Sequence, residues 1–175
     1  NPEPGLGTTR SERPHRFGRI LDPTSAVIGV IDVEPILGDV DANEDLLHDR
    51  SSYVAGDIDD RPYEASFAEL GRTFPHALGD GSAKYFYLVL TLTPMGDELT
   101  LDFAKTLIEN EKVGQGNATD YLAISFSSTD YIGHLFGPSS LETEDNILRL
   151  DRILAELFQC VDKKVGLDKT LIVLS

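Results

Sequence analysis

The 175 residues, 41% of them hydrophobic, are enough for one domain with a core and too few for two full domains to be expected. A formal net charge of -15 argues against a nucleic-acid groove, because phosphate backbones are bound by clustered Lys and Arg. No run reaches the roughly 18 to 20 apolar residues that a bilayer span needs. Neither nucleic acid nor a membrane is therefore expected as a partner.

The first part of the chain is irregular and acidic. Residues 26–33 (AVIGVIDV) are apolar and β-branched enough for a buried strand. Between residues 32 and 69 acidic side chains far outnumber basic ones, and few apolar positions recur at a regular spacing. We interpret residues 1–80 as an acidic insertion or cap segment over the core.

Residues 81–175 alternate apolar runs with helical patterns. Residues 97–113 and 141–164 carry apolar side chains at helical spacing, with acidic residues near the start and lysines near the end of each. Three runs have the length and composition of buried strands: 85–92 (YFYLVLTL), 121–127 (YLAISFS) and 170–175 (TLIVLS). The alternation predicts an α/β fold, in which a mainly parallel sheet has helices on its faces.

The chain stops at the carboxyl end of its third apolar run. Functional groups of open α/β sheets lie just past such strand ends, so we expect residues 81–175 to be a partial catalytic core, truncated before a functional loop. A natural terminus at this point is the less common alternative. Truncation would expose apolar surface, which makes self-association a further expectation.

The segment that follows the second apolar run carries the strongest chemical signal. It is predicted to be a loop, and it places Asp130 and His134 four residues apart after the strand. A carboxylate oxygen and an imidazole nitrogen are both good zinc ligands. Spacing alone equally fits an Asp that caps a turn and a His that packs beside Phe136.

The sequence around this pair resembles a known superfamily. The run from Asp120 to Ser175 is similar to the core segment of type I phosphodiesterases and alkaline phosphatases, and the similarity extends back to Asp97. The version TDYIGH at residues 129–134 resembles the bacterial phosphate-irrepressible alkaline phosphatase branch more than the nucleotide pyrophosphatase branch, where Pro commonly precedes this Asp.

The resemblance implies an active site with two zinc ions and a phospho-enzyme mechanism for hydrolysing phosphate esters. Asp130 and His134 match residues that bind one zinc together with a His far downstream. The Thr or Ser nucleophile and the ligands of the other zinc match no residue of this chain. We therefore expect no catalytic residue in it, and weak zinc binding and no activity from the chain alone. The resemblance also suggests a periplasmic or secreted enzyme.

Other candidate sites are weaker. Residues 39–50 open like a calcium loop but have Glu44 where Gly is required and Arg50 where Glu is required. The acidic group Asp57, Asp59 and Asp60 is typical of solvated loop surface. His76 is expected to be structural. Glu144 and Asp145 are interpreted first as complements to a helix dipole, and second as supports for the metal loop.

Three alternatives to a small-molecule phosphate monoesterase remain open. One is phosphodiesterase or nucleotide pyrophosphatase activity, and another is a different hydrolytic chemistry of the same superfamily. The third is a folded but catalytically inactive interaction module. The residues that would recognise the substrate are expected outside this chain, so its sequence does not choose among them.

Overall fold

The computed structural model describes residues 43–68, 70–79, 82 and 84–175, together with the backbone of residues 18–20 and 28–30. Its strands are short. β1 (Gly18–Ile20) pairs antiparallel with β2 (Ile28–Val30), with Arg19 opposite Gly29. β3 (Asn43–Glu44) pairs antiparallel with β4 (His76–Ala77). The remainder of the predicted strand at 26–33, and the calcium-like positions 39–42, lie outside the described residues.

Helices dominate the second part of the chain. Single 3-10 turns occur at Arg50–Ser52 and Leu167–Lys169. In the described part of the chain the α-helices are α1 (Phe86–Thr91), α2 (Met95–Asn110), α3 (Ser128–Phe136) and α4 (Leu141–Lys164). Among the described residues no helix has the length and apolar content to cross a membrane.

The predicted strand at 85–92 is wrong, because this segment forms α1. Its buried residues are Phe86, Val89 and Leu90, which share one helical face, whereas Tyr87 and Leu88 are exposed. A continuous apolar run has no period of its own, so it fits a short helix as well as a buried strand. Here one side of the segment faces the core, and a helix buries that side while exposing the rest.

In the described part of the chain the segments 121–127 and 170–175 form no helix, and neither joins a sheet. The predicted parallel sheet is therefore not confirmed. Leu122, Ile124 and Phe126 alternate with exposed neighbours and pack against the α2–α4 core, as one face of a strand would. Residues 171–174 are exposed and border, with α4, an open apolar groove of about 590 Å³.

The helix predicted at 141–164 is confirmed as α4, and the one predicted at 97–113 corresponds to α2. Ser140 caps α4 by accepting a hydrogen bond from the Thr143 amide at 3.1 Å. The spacing of Ser139 and Glu142 would suit a capping box, but none forms, because the N-cap is Ser140 and Glu142 points toward a buried histidine, His76. Basic side chains in the last turn of α4 complement the helix dipole.

Two apolar clusters hold the helices together. The first joins α1 and α3 to the segment before α1, and its buried members are Leu70, Leu78, Phe86, Val89, Leu90, Ile132 and Phe136. The second joins α2 to α4, and its buried members are Leu101, Ala104, Ile108, Ile153 and Leu157. Helix α3 is thus fixed on one side by the first cluster, and α4 by the second.

A buried polar cluster lies where β3 and β4 meet the start of α4. His76 is fully buried, and its Nδ1 lies 2.8 Å from the Leu70 carbonyl oxygen, while its Nε2 lies 3.3 Å from Glu142 Oε1. Burial lowers the pKa of His76, but Glu142, the Leu70 carbonyl and Glu44 raise it more, so that the net shift is upward. His76 is therefore structural, as the sequence suggested.

Glu44 is the most strongly perturbed carboxyl group of this cluster. Burial raises its pKa to about 8, although His76 and Arg149 oppose the shift. The unfolded chain loses this proton near the ordinary value of 4.5, whereas the folded protein keeps it to about pH 8. The folded state binds more protons in that window, so its stability must fall as the pH rises through it.

We expect Glu44→Gln to flatten the pH dependence of stability. Urea unfolding at about pH 6 and about pH 9 should show the unmodified protein losing more free energy of unfolding than the variant, because the amide has no proton to release. A slope that remains in the variant comes from the other groups whose pKa is raised, among them His76, Glu64 and Asp97, which act in the same direction. Glu156→Gln, on the exposed face of α4, is the control and should leave the slope unchanged. Equal slopes for the unmodified protein and Glu44→Gln would contradict the assignment.

Candidate metal-binding site

The segment 128–140 is predicted to be a loop, but its residues 128–136 form helix α3. The loop prediction is wrong there because Gly133 and Gly137 are typical of a helix break, yet Gly133 lies inside the helix with open space around its missing side chain. Ser128, Ile132 and Phe136 recur every four residues and form the buried face. Gly137 ends the helix in a backbone conformation (φ 88°, ψ 160°) that is essentially restricted to glycine.

Asp130 and His134 lie together on the exposed face of α3. One helical turn separates them, and Asp130 Oδ1 is 3.5 Å from His134 Nε2. Their side chains are 75% and 80% exposed, so both donor atoms are open to an incoming ion. Asp130 in the first turn and His134 in the last turn also suit the helix dipole, which is how a purely structural pair would behave.

A zinc ion fits the chemistry of this pair, but the pair is not a complete site. Aspartate oxygen and histidine nitrogen are ordinary zinc ligands, and an i, i+4 spacing brings two such donors to one side of a helix. Within the described ranges no group of three or more His, Cys, Asp or Glu side chains is placed to hold a metal. The metal role of Asp130 and His134 stays a prediction.

Helix α3 starts against α2. Asp97 of α2 is buried, and its Oδ1 accepts a hydrogen bond from the Ser128 amide at 3.0 Å. Burial raises the pKa of Asp97, and hydrogen bonds from Ser128 and Thr129 oppose the shift. Next to it, a side chain at Gly96 would lie 2.5 Å from Ser128 Oγ, so the two helices meet too closely for any residue but glycine.

Helix α4 holds the same end of α3 from another side. Asn146 is buried and donates from Nδ2 to Thr129 Oγ1 at 2.9 Å. Thr129 immediately precedes Asp130 in the sequence. Sequence analysis missed both anchors, because Asp97 had been explained as a complement to its own helix dipole. The sequence signal for the Asn146 anchor was its spacing. Asn146 follows Glu142 by four residues, so both polar side chains lie on the same, buried face of α4.

Glu144 and Asp145 do not support the metal pair. Glu144 accepts the amides of Val54 and Ala55 at 2.8 and 2.7 Å. Asp145 accepts the Leu47 amide at 2.8 Å and is bound by the Tyr53 hydroxyl and Arg149. Both carboxylates thus fix the segment around residues 47–55 onto α4, which is a structural function.

The acidic group at residues 57–60 is neutralised locally. Arg61 pairs with Asp57, Arg50 with Asp59, and Arg72 with Asp60. Asp57 and Asp60 are exposed, as the interpretation of loop surface expects, whereas Asp59 is mostly buried. His48 is exposed and lies 3.3 Å from an Arg152 nitrogen, on a different part of the surface from Asp130 and His134.

Comparison with known proteins decides the family. The family model described as type I phosphodiesterase / nucleotide pyrophosphatase matches residues 27–175, which include α3 and the metal pair. The chain belongs to this family. The resemblance recognised in the sequence is thereby confirmed.

Relatives within the phosphodiesterase family carry mainly alkaline phosphatase names. Alkaline phosphatase PhoV of Synechococcus elongatus is 42% identical over 121 residues, which cover 69% of this chain and 22% of PhoV. A Myroides odoratus protein named calcium-transporting ATPase is 45% identical over 123 residues, again 69% and 22% of the two chains. The chain therefore spans about a fifth of the length of these relatives.

A solved structure of the family gives the fold. The crystal structure of wild-type alkaline phosphatase PafA superposes with a TM-score of 0.63 at 37% sequence identity, covering 71% of this chain and 24% of PafA. The likeness places the matched 71% of this chain within the fold of an alkaline phosphatase. Most of the length of PafA has no counterpart in it.

Gly133 inside α3 and Gly137 directly after it provide a test of this helix. Gly133→Ala should raise the free energy of unfolding by about 0.5–1 kcal/mol, because alanine restricts the unfolded chain and meets nothing in the helix. Gly137→Ala should lower it by about 1–3 kcal/mol, because its backbone conformation excludes a side chain. Chemical denaturation of the two variants measures both values. A destabilised Gly133→Ala would contradict a helix at residues 128–136.

Proposed function

We propose that this chain is part of a zinc-dependent phosphate-ester hydrolase of the alkaline phosphatase type, and that Asp130 and His134 bind one of its zinc ions. The observation that carries the proposal is the exposed pair on α3, whose oxygen and nitrogen lie 3.5 Å apart. The pair lies in the region that matches the family, and family relatives are named alkaline phosphatases.

The chemistry of the pair suits this function. Zinc bound there would supply positive charge for an anionic phosphate ester and acidify a bound water. Asp130 contributes a negative charge and His134 a neutral nitrogen, so the pair would leave a divalent cation with net positive charge. In this way a chain with a net negative charge can bind an anionic substrate.

The pair lacks the third ligand that a catalytic zinc ordinarily has. We propose that this ligand and the nucleophile come from other parts of a longer enzyme, since the chain spans 22% of PhoV. It follows that the 175 residues alone should bind zinc weakly and turn over no phosphate ester. A periplasmic or secreted location, inferred from the resemblance, is part of the same proposal, and cell fractionation would test it.

A monoester substrate is favoured over a diester. The support is that four relatives are named alkaline phosphatases, whereas the family description also includes phosphodiesterases. Rates of the full-length protein on p-nitrophenyl phosphate and bis(p-nitrophenyl) phosphate distinguish the two. A higher kcat/KM for the diester would favour the alternative, and no hydrolysis of either would favour an inactive interaction module.

In the full-length protein, His134→Ala should remove one zinc per molecule and reduce turnover. The loss should exceed the roughly 10- to 100-fold that removal of an outer-shell partner of a metal site costs. Elemental analysis and the hydrolysis rate measure the two effects. The matched control is His48→Ala, which replaces an exposed histidine that contacts Arg152. This variant should keep its zinc content and its hydrolysis rate. Full zinc content and near-normal rates in His134→Ala would refute the assignment.

A further inference from the structure

The rest of the protein holds the candidate site in place through contacts with the first turn of α3. Asp130 and His134 are themselves exposed, so packing does not fix their side chains. What the fold can fix is the position of the helix that carries them. Ser128 and Thr129, the two residues before Asp130, are where α2 and α4 hold that helix.

The contact from α2 is made by the buried side chain of Asp97, which accepts a hydrogen bond from a backbone amide at the start of α3. The first amides of a helix have no partner within it, and Ser127 at the N-cap position provides none with its side chain. Asp97 takes this capping function from another helix, through the Ser128 amide. The cap thus ties the start of α3 to α2, which a local cap would not do.

The contact from α4 fixes rotation about the α3 axis. Asn146 donates to the hydroxyl of Thr129, and Ile132 and Phe136 bury the side of α3 that faces the core. An amide capped at one point leaves a helix free to rotate, whereas a second bond to a side chain one residue further on removes that freedom. Asp130 follows directly, so its direction is set by the two contacts together.

We propose that Asp97, Thr129 and Asn146 are positioning residues for the metal pair, and set the affinity of the Asp130–His134 zinc by fixing the start of α3. The proposal rests on the proposed function. A metal site needs its ligands held within about 0.5 Å, which exposed side chains achieve only when their helix is fixed. Outer-shell partners of this kind change metal affinity by roughly 10- to 100-fold.

The test uses the full-length protein stripped of metal and titrated with zinc alone. Thr129→Val removes the hydroxyl and keeps the shape, and it should weaken zinc binding by about 10-fold. Thr100→Val is the matched control, because its hydroxyl bonds to the Gly96 carbonyl within α2 and not to α3. Asp97→Ala should weaken binding at least as much, whereas Asp97→Asn keeps an acceptor for the Ser128 amide and should recover most of the affinity.

A second measurement distinguishes a positioning role from a simple loss of folding stability. Excess zinc should restore turnover to Thr129→Val, because its ligands are present but badly placed. A variant that lost only stability would show a lower Tm of the metal-free protein and an unchanged zinc affinity at a temperature where it is folded, and this result would overturn the proposal. If Asp97→Ala does not fold, Thr129→Val decides the question alone.

The His134→Ala variant separates this proposal from the proposed function. If His134→Ala keeps both zinc ions and its rate, the metal assignment itself fails and the positioning proposal fails with it. If His134→Ala loses zinc while Thr129→Val and Asp97→Ala bind zinc as the unmodified protein does, the positioning proposal alone is refuted. Weakened binding in these two variants, with Thr100→Val unchanged, is the result we expect.

Discussion

Helix α4 begins in the interior of the protein, and this burial constrains everything that packs around it. Its first turns bring Glu142, Asp145 and Asn146 out of water, and buried polar groups are costly unless they find partners. The partners come from His76, from the amide of Leu47 and the hydroxyl of Tyr53, and from Thr129 of α3. One helix start thus joins the acidic first part of the chain to the helix that carries the metal pair.

The polar side chains in the described part of the chain therefore have two different functions. Buried acids such as Asp97 and Asp145 bind amides and a guanidinium, and they fix the arrangement of helices. Asp130 and His134 are exposed and bind neither helix α2 nor α4. A stable framework and an open donor pair are the combination that a metal centre assembled with residues from elsewhere would require.

The sequence predicted the long helices well, whereas the strand predicted at 85–92 is wrong and the parallel sheet is not confirmed. Helix α4 has a capping serine, a helical apolar spacing and terminal lysines, and these local signals agree with one another. Residues 85–92 are a continuous apolar run, which fits a helix or a strand equally well. Only the packing of neighbouring elements determines which side of such a run is buried. Asp130 and His134 were found by resemblance, and the helix beneath them was missed because Gly133 was given too much weight. Asp97 and Asn146 act through tertiary contacts, which no local pattern encodes.

Diffraction from crystals of the full-length protein grown with zinc tests the central claim most directly, with data collected on both sides of the zinc absorption edge. The account predicts an anomalous peak about 2.0–2.2 Å from both an Asp130 carboxylate oxygen and a His134 ring nitrogen. Zinc peaks elsewhere in the enzyme, with none between these two side chains, would contradict it.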